Sequence, residues 1–209
     1  MKEIARLVRV SVSSVSYWVR DVPLTAGQRA ELDRRMSANG RAAAAAAAGR
    51  SKAAREVRCS YQEHGRRLAQ RRIPLHVAGC MLYWAEGSKS RNGVQFVNSD
   101  PAMVRYFVEF LRTHYEVPDE AIRVACNLFA DHAERQYEIE RFWLDALNLP
   151  QTCLRKSTIN VYSKYSKKKR KNRLPYGTVR VCVHSTRVIQ SIYGSIPEYG
   201  GFERPEWLG

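Results

Sequence analysis

The sequence predicts an α+β chain, and three observations carry the prediction. The first is a run of helical signals through the N-terminal third: two short amphipathic segments, then an alanine- and arginine-rich stretch without proline from Thr25 to Arg72. The second is an alternation, from residue 73 onward, between helix-spaced apolar residues and short stretches of period-two alternation. The third is composition: 209 residues at 44% apolar content are enough for one ordinary core, or a modest core with a small satellite domain.

The opening residues, "KEIARLVRVSVSSVSYWVRDVP", read as two short helices. Ile4, Ala5 and Val8 share a face of the first, and Val10 falls in the turn. The Ser11 hydroxyl is placed to accept a free amide at the start of the second helix. Val15 and Trp18, three apart, are expected to face inward, with Ser13, Ser14, Ser16, Tyr17 and Arg20 outward and Pro23 ending the unit. Residues 24–72 form the next segment, expected as basic helix with breaks at Gly40, Gly49 and Gly65. It reads equally as a spacer that tracks phosphates and as a solvated linker.

The third segment, residues 73–209, begins with Pro74 at a helix start, followed by "LHVAGCMLYWAEG". This helix is apolar nearly all round and so is expected to be buried on most sides, with Ala78 and Gly79 allowing another backbone to come close. Cys80 is expected to pack inside it. Gly87 is expected to end the helix in the left-handed conformation. Glu86 then stands in the last turn, where the helix dipole disfavours a carboxylate. Lys89, Arg91 and a divalent metal are the candidate cations to offset it.

A strand follows at Val94–Val97, then a cap at Ser99 or Asp100 and a helix with Val104, Phe107, Val108 and Leu111 on one face. "IRVACNLF" reads as a strand. "ERQYEIERFWLDALNLP" reads as a helix with Tyr137, Ile139, Phe142, Trp143, Ala146 and Leu147 mostly inward. "CLRKSTINVY" and "YGTVRVCVHS" read as strands, and "TRVIQSIYGSI" as the closing helix. Phe202 and Trp207 of the tail are expected to dock on the core, and His184 to be structural.

Charge narrows the partners. Basic residues number 35 against 20 acidic, a formal +15, and residues 24–72 alone hold 12 basic against 4 acidic. A polyanion is the implied partner, nucleic acid first, with an anionic membrane surface as the alternative. Between the last two strands, seven of the ten residues from Lys164 to Arg173 are basic: Lys164, Lys167, Lys168, Lys169, Arg170, Lys171 and Arg173. On a hairpin connection such a run is expected to reach a phosphate backbone. No apolar run approaches the roughly 18 residues of a membrane span, and the start lacks a signal-peptide core. The five cysteines lack zinc-site spacing, and the five histidines share no ligand spacing. Reduced thiols and a cytoplasmic setting are the expectation.

Two resemblances rest on these residues. "IARLVRVSVSSVSYWVR" resembles the helix-turn-helix of bacterial DNA-binding proteins, in which the second helix enters the major groove. Arg9 stands where that turn usually has glycine, and the helix that normally precedes the pair is absent. Either the true start lies upstream or the helix from residue 26 packs in as the third member. The alternative is a structural helical hairpin.

The helix ending in "AEG" resembles the signature helix of LAGLIDADG-type homing endonucleases, with Ala85, Glu86 and Gly87 at the small, acidic and glycine positions that close the motif. Met81 falls where the family has its first glycine, and Gly79 lies two residues earlier. The resemblance covers about 120 residues of pattern. It implies an αββαββα saddle domain, with one element inserted and an early strand short or lost in "SKSRN", preceded here by a small helix-turn-helix and a long basic helix. It also implies a homodimer in which two such helices pack together, bringing Glu86 from each chain beside the DNA with Mg2+. Lys89 and Gln95 are then candidates to orient water, and Lys89 and Arg91 to contact DNA. Some relatives with this fold resemble transcription regulators that do not cleave. Glu86 is the one clear catalytic match. The reading is therefore a sequence-specific double-stranded DNA-binding protein acting as a transcription regulator, with a Mg2+-dependent homodimeric endonuclease as the alternative. RNA binding rests on charge alone.

Overall fold

The computed structural model describes residues 2–160 and 174–208. The chain divides into two compact units, Met1–Lys52 and Ala53–Gly209. The basic run from Lys164 to Arg173 lies outside the described residues.

The first unit holds α1 (Lys2–Leu7), α2 (Val12–Trp18) and the first part of α3 (Ala26–Gln70). Ser11 caps α2 by accepting from the Ser14 amide at 3.1 Å. In the turn, Arg9 takes the left-handed conformation, φ 50°, that glycine would adopt with less strain. Ala5 and Val15 are buried where the helices cross. The expected inward position of Trp18 is corrected, since it is 60% exposed, and Ile4 and Val8, which share a face with Ala5, are 46% and 53% exposed. Helices of six and seven residues meet over too little length to bury more. Nor does the start of α3 act as the third member, because residues 26–52 are exposed except for half-buried Glu31.

Thr25 and Gln28 close a reciprocal capping box at the start of α3, Gln28 N to Thr25 Oγ1 at 3.3 Å and Thr25 N to Gln28 Oε1 at 3.0 Å. The breaks expected at Gly40, Gly49 and Gly65 do not occur; α3 is one helix. Each glycine costs a helix about 1 kcal/mol, which the surrounding alanines and long side chains tolerate. Gly65 has a further use. A Cβ there would sit 1.9 Å from the Ser191 carbonyl oxygen, and one on Gly194 would sit 2.0 Å from that of Gln62. Two helix backbones therefore touch at this point. Ser195 Oγ donates to Gly65 O (2.8 Å), Ser191 Oγ to Tyr61 O (3.2 Å) and Gln62 Nε2 to Gln190 Oε1 (2.8 Å). The end of the alanine-rich helix is thus built into the second unit.

That unit continues with α4 (Pro74–Glu86), β1 (Val94–Asn98), α5 (Pro101–Tyr115), β2 (Ile122–Phe129), α6 (Gln136–Leu147), β3 (Thr158–Asn160), β4 (Thr178–Val183) and α7 (Thr186–Gly200). This order of helices and strands is the one the sequence predicts. Asp100 caps α5 through the amides of Ala102 and Met103, with Pro101 at the first helical position. The four strands form a mixed sheet in the order β1-β4-β2-β3. Its β1–β4 and β4–β2 pairs are antiparallel and its β2–β3 pair is parallel.

Alternation sorts the strands. Val94, Phe96, Val179, Val181, Val183, Ile122, Val124 and Leu128 are buried with the inner faces of α4, α5, α6 and α7 in one core. Phe202 packs on Trp84 (5.0 Å between ring centroids) and Trp207 stacks on Tyr193 (4.5 Å), so the tail docks as expected.

Four expectations for this unit are corrected. Tyr137 is 71% exposed, because it lies off the buried stripe of α6 formed by Ile139, Trp143, Leu144 and Leu147. The strand expected from Cys153 begins only at Thr158, with Leu154 making a single bridge to Val124. Gly79 meets the ring of Phe110 instead of another backbone. Gly87 is extended (φ −76°, ψ 150°) because it already pairs with the sheet: it bridges Phe96, and Ser88 N donates to Gln95 O at 2.9 Å. That one bridge is what stands in place of the early strand sought in "SKSRN".

Beneath α4 lies a polar pocket in the core. His76 Nδ1 is 2.7 Å from the Tyr199 hydroxyl and Nε2 is 3.2 Å from the Tyr115 hydroxyl. Burial, with the neighbouring His114, pulls the imidazole pKa down to about 4.

Candidate nucleic-acid interface

The same alternation that fills the core turns a second set of side chains to the other face of the sheet. The register puts Gln95, Cys182 and Arg123 in one row across β1, β4 and β2. Val97, Arg180 and Ala125 form the next row, and Thr178, Asn127 and Thr158 the third, across β4, β2 and β3. Neighbouring strands are about 4.8 Å apart, so each row crosses roughly 10 Å. Asn127 Nδ2 donates to Thr178 Oγ1 at 3.3 Å.

A concavity of about 390 Å³ opens on this face. It is lined by Gln95, Arg123, Val124, Ala125, Arg155, Arg180, Cys182 and His184, and no carboxylate is among them. Two of the arginines are held by backbone carbonyls: Arg123 Nη1 donates to Glu120 O and Ile122 O, and Arg155 Nη1 to Thr152 O and Leu154 O. Arg180 Nε is buried and has no hydrogen-bond partner among the described residues. Burial pushes the Cys182 thiol up and nearby Arg180 opposes that shift. Held guanidinium groups without competing carboxylates are suited to phosphate oxygens and to the acceptor edge of guanine.

The end of α4 is a separate feature. Glu86 is exposed in the last turn. Lys89 is the cation that answers the helix terminus: its Nζ donates to Trp84 O at 2.8 Å and Gly87 O at 2.9 Å. Burial lowers the Lys89 pKa. Its ammonium is therefore engaged by carbonyls, and Gln95 belongs with the arginines of the sheet face. Arg91 is exposed in the loop before β1.

The inner side of α4 is formed by His76, Gly79, Cys80 and Tyr83. Its other side carries Val77, Ala78, Met81 and Ala85, half-buried or exposed and without a charged residue, while Leu82 packs against the core and Trp84 against Phe202. Among the described residues, no group of three or more His, Cys, Asp or Glu side chains could hold a metal ion.

In the first unit, Ser13, Ser16 and Tyr17 are exposed along α2, Arg20 is exposed in the turn that follows it, and Ser14 is half-buried. Ser13 and Ser14 hydroxyls bond to Ser11 Oγ at 2.9 and 2.8 Å, and the Arg20 guanidinium lies 5.3 Å from the centre of the Tyr17 ring.

Arg123, Arg155 and Arg180 were not among the sequence-derived candidates. For two of them the signal was present: in "IRVACNLF" and "TVRVCV", Arg123 and Arg180 occupy the positions out of phase with the buried residues. His184, expected to be structural, is exposed beside them.

No helix among the described residues is long and apolar enough to cross a membrane. Comparison with protein-family models, with curated proteins and with solved structures found no match.

Proposed function

We propose that this chain is a sequence-specific double-stranded DNA-binding protein, acting as a transcription regulator with a homing-endonuclease-like saddle domain. The observation that carries the reading is the concavity on the open sheet face, with Arg123, Arg155 and Arg180 and no carboxylate. The formal charge of +15 and the exposed polar row on α2 favour the same partner. In this reading α2 reads the major groove with Ser13, Ser16, Tyr17 and Arg20, while the sheet lies on the duplex with Arg180, Arg123 and Gln95 toward base edges. The uncharged outer side of α4 packs against the same helix of a second copy, and a twofold dimer then favours a pseudo-palindromic site.

One observation favours the alternative, a Mg2+-dependent endonuclease: Glu86 is exposed at the end of that uncharged helix side. Pairing two copies there would bring two carboxylates together, and Mg2+ is commonly held by one or two carboxylates plus phosphate oxygens.

Electrophoretic retardation of duplex DNA by the full chain, with and without Mg2+, tests both readings. A regulator retards the fragment without metal and leaves it intact. A nuclease nicks supercoiled plasmid with Mg2+, and Glu86→Gln abolishes nicking while sparing retardation. Failure to retain duplex DNA at about 50 mM salt refutes the DNA reading. Preferential displacement by structured RNA points to the RNA reading instead.

A further inference from the structure

Arg123 and His184 line two concavities, the one on the open sheet face and a second of about 320 Å³. The second lies past the end of the sheet, walled by Glu116 and Val117 after α5 and by Arg187 and Val188 in the first turn of α7. The chain from β4 into α7 leads from one to the other, with basic side chains at Arg180, His184 and Arg187. His184 and Arg187 are exposed. Arg187 Nη2 donates to Tyr115 O at 3.1 Å, which fixes one edge of the guanidinium. Glu116 is the one carboxylate in the lining, held in the left-handed conformation (φ 51°) that ends α5.

We propose that this second cleft is a phosphate-backbone site, where Arg187 takes a phosphodiester of the duplex after it leaves the sheet and Glu116 moderates the affinity. The proposal rests on the DNA reading above and extends it to a part of the surface that the sheet alone does not include. Phosphate is the ligand chemistry because a planar guanidinium with one edge fixed keeps further N–H donors for a tetrahedral anion. Such a contact positions the protein without reading sequence.

The test measures binding of the full chain to a fluorescent duplex over about 50–200 mM KCl, where each phosphate contact contributes close to one unit to the slope of log K against log salt. Arg187→Gln is expected to lower affinity several-fold and reduce the slope by about one, and Arg187→Lys to restore most of the slope. Glu116→Gln, which removes a carboxylate from an exposed position, is expected to tighten binding about two- to threefold at low salt. Should Arg187→Gln lose its fold on heating at the assay temperature, Arg187→Lys and Glu116→Gln still decide the matter. Wild-type slope in Arg187→Gln together with unchanged affinity in Glu116→Gln overturns the cleft while leaving DNA binding by the sheet intact. Absence of DNA binding by the wild type overturns both. A rise in melting temperature with inorganic phosphate at constant ionic strength, lost in Arg187→Gln while its DNA slope stays at wild type, assigns the cleft to a small phosphate and also overturns the proposal.

Discussion

Replacing Gly65 with alanine is expected to damage the protein where the same change at Gly40 or Gly49 improves it. The three glycines share one helix, so helix propensity treats them alike and favours alanine by about 1 kcal/mol at each. Around Gly40 and Gly49 there is nothing within 4 Å of an added Cβ. At Gly65 the new methyl would lie 1.9 Å from Ser191 O and 2.7 Å from Ser191 C, atoms of a helix backbone that cannot rotate away. Carbon contacts settle near 3.5 Å, so α3 and α7 must separate by roughly 1.5 Å. Overpacking of this kind costs about 1–3 kcal/mol. Separation also weakens the three hydrogen bonds that cross the contact, from Ser195, Ser191 and Gln62, each worth about 1 kcal/mol. Net of the propensity gain, Gly65→Ala should lose about 2–4 kcal/mol. For a unit of this size a loss of about 3 kcal/mol lowers the melting temperature by roughly 6–12 °C. Urea and thermal unfolding of the full chain, followed by fluorescence of buried Trp143 and stacked Trp207 and by helical circular dichroism, measure it. A Gly65→Ala protein as stable as wild type, or Gly40→Ala and Gly49→Ala proteins equally damaged, would refute the reasoning.

Other predictions concern acid, the outer side of α4 and the sheet face. The His76 imidazole has a folded-state pKa of about 4 against an ordinary 6.5, so the unfolded chain binds the extra proton first. Its contribution is complete above about pH 6.5 and is lost as pH falls toward 4, to a limit of about 3 kcal/mol. Urea unfolding should therefore show stability falling between pH 6.5 and 5, before carboxylates titrate, and His76→Gln should flatten that decline. Met81→Glu places a charge on the uncharged side of α4 and, in the proposed homodimer, should convert dimer to monomer in sedimentation; a monomeric wild type, or a dimer that survives the change, speaks against pairing through this helix. Arg180→Gln should reduce DNA affinity and relax base preference at one position by about 1–3 kcal/mol, read by competition among duplex variants. An unchanged preference removes Arg180 from the base-reading set.

The order of elements in the second unit was legible because its apolar periods are long and clean, as in "MVRYFVEFL", where Val104, Phe107, Val108 and Leu111 all prove buried. Local chemistry was also legible: Ser11 caps the helix it precedes, and of Ser99 and Asp100 it is Asp100 that does so. What local pattern does not specify is which surfaces find partners. Trp18 and Ile4 have the spacing of an inner face, yet the hairpin offers nothing to cover them. Gly79, in the motif, and Gly65, in a low-complexity stretch, look alike on paper. Only the tertiary arrangement shows that the backbone-to-backbone contact belongs to Gly65. The candidate site was missed for a related reason. Arg123 and Arg180 stand 57 positions apart, and only the β2–β4 register makes them neighbours.

The strand order has a consequence for how the protein is made. β4, the last strand to be synthesised, sits between β1 and β2, and its register with β1 joins Val94 to Val183 across almost ninety positions. While the chain is still emerging from the ribosome, each flanking strand presents an unpaired edge on the side that β4 will fill. Closure waits for one late segment, which makes the nascent chain slow to consolidate and prone to associate with its neighbours. A nascent chain arrested before Thr178 should remain open to protease and bound by chaperones, and one arrested after release of α7 should not.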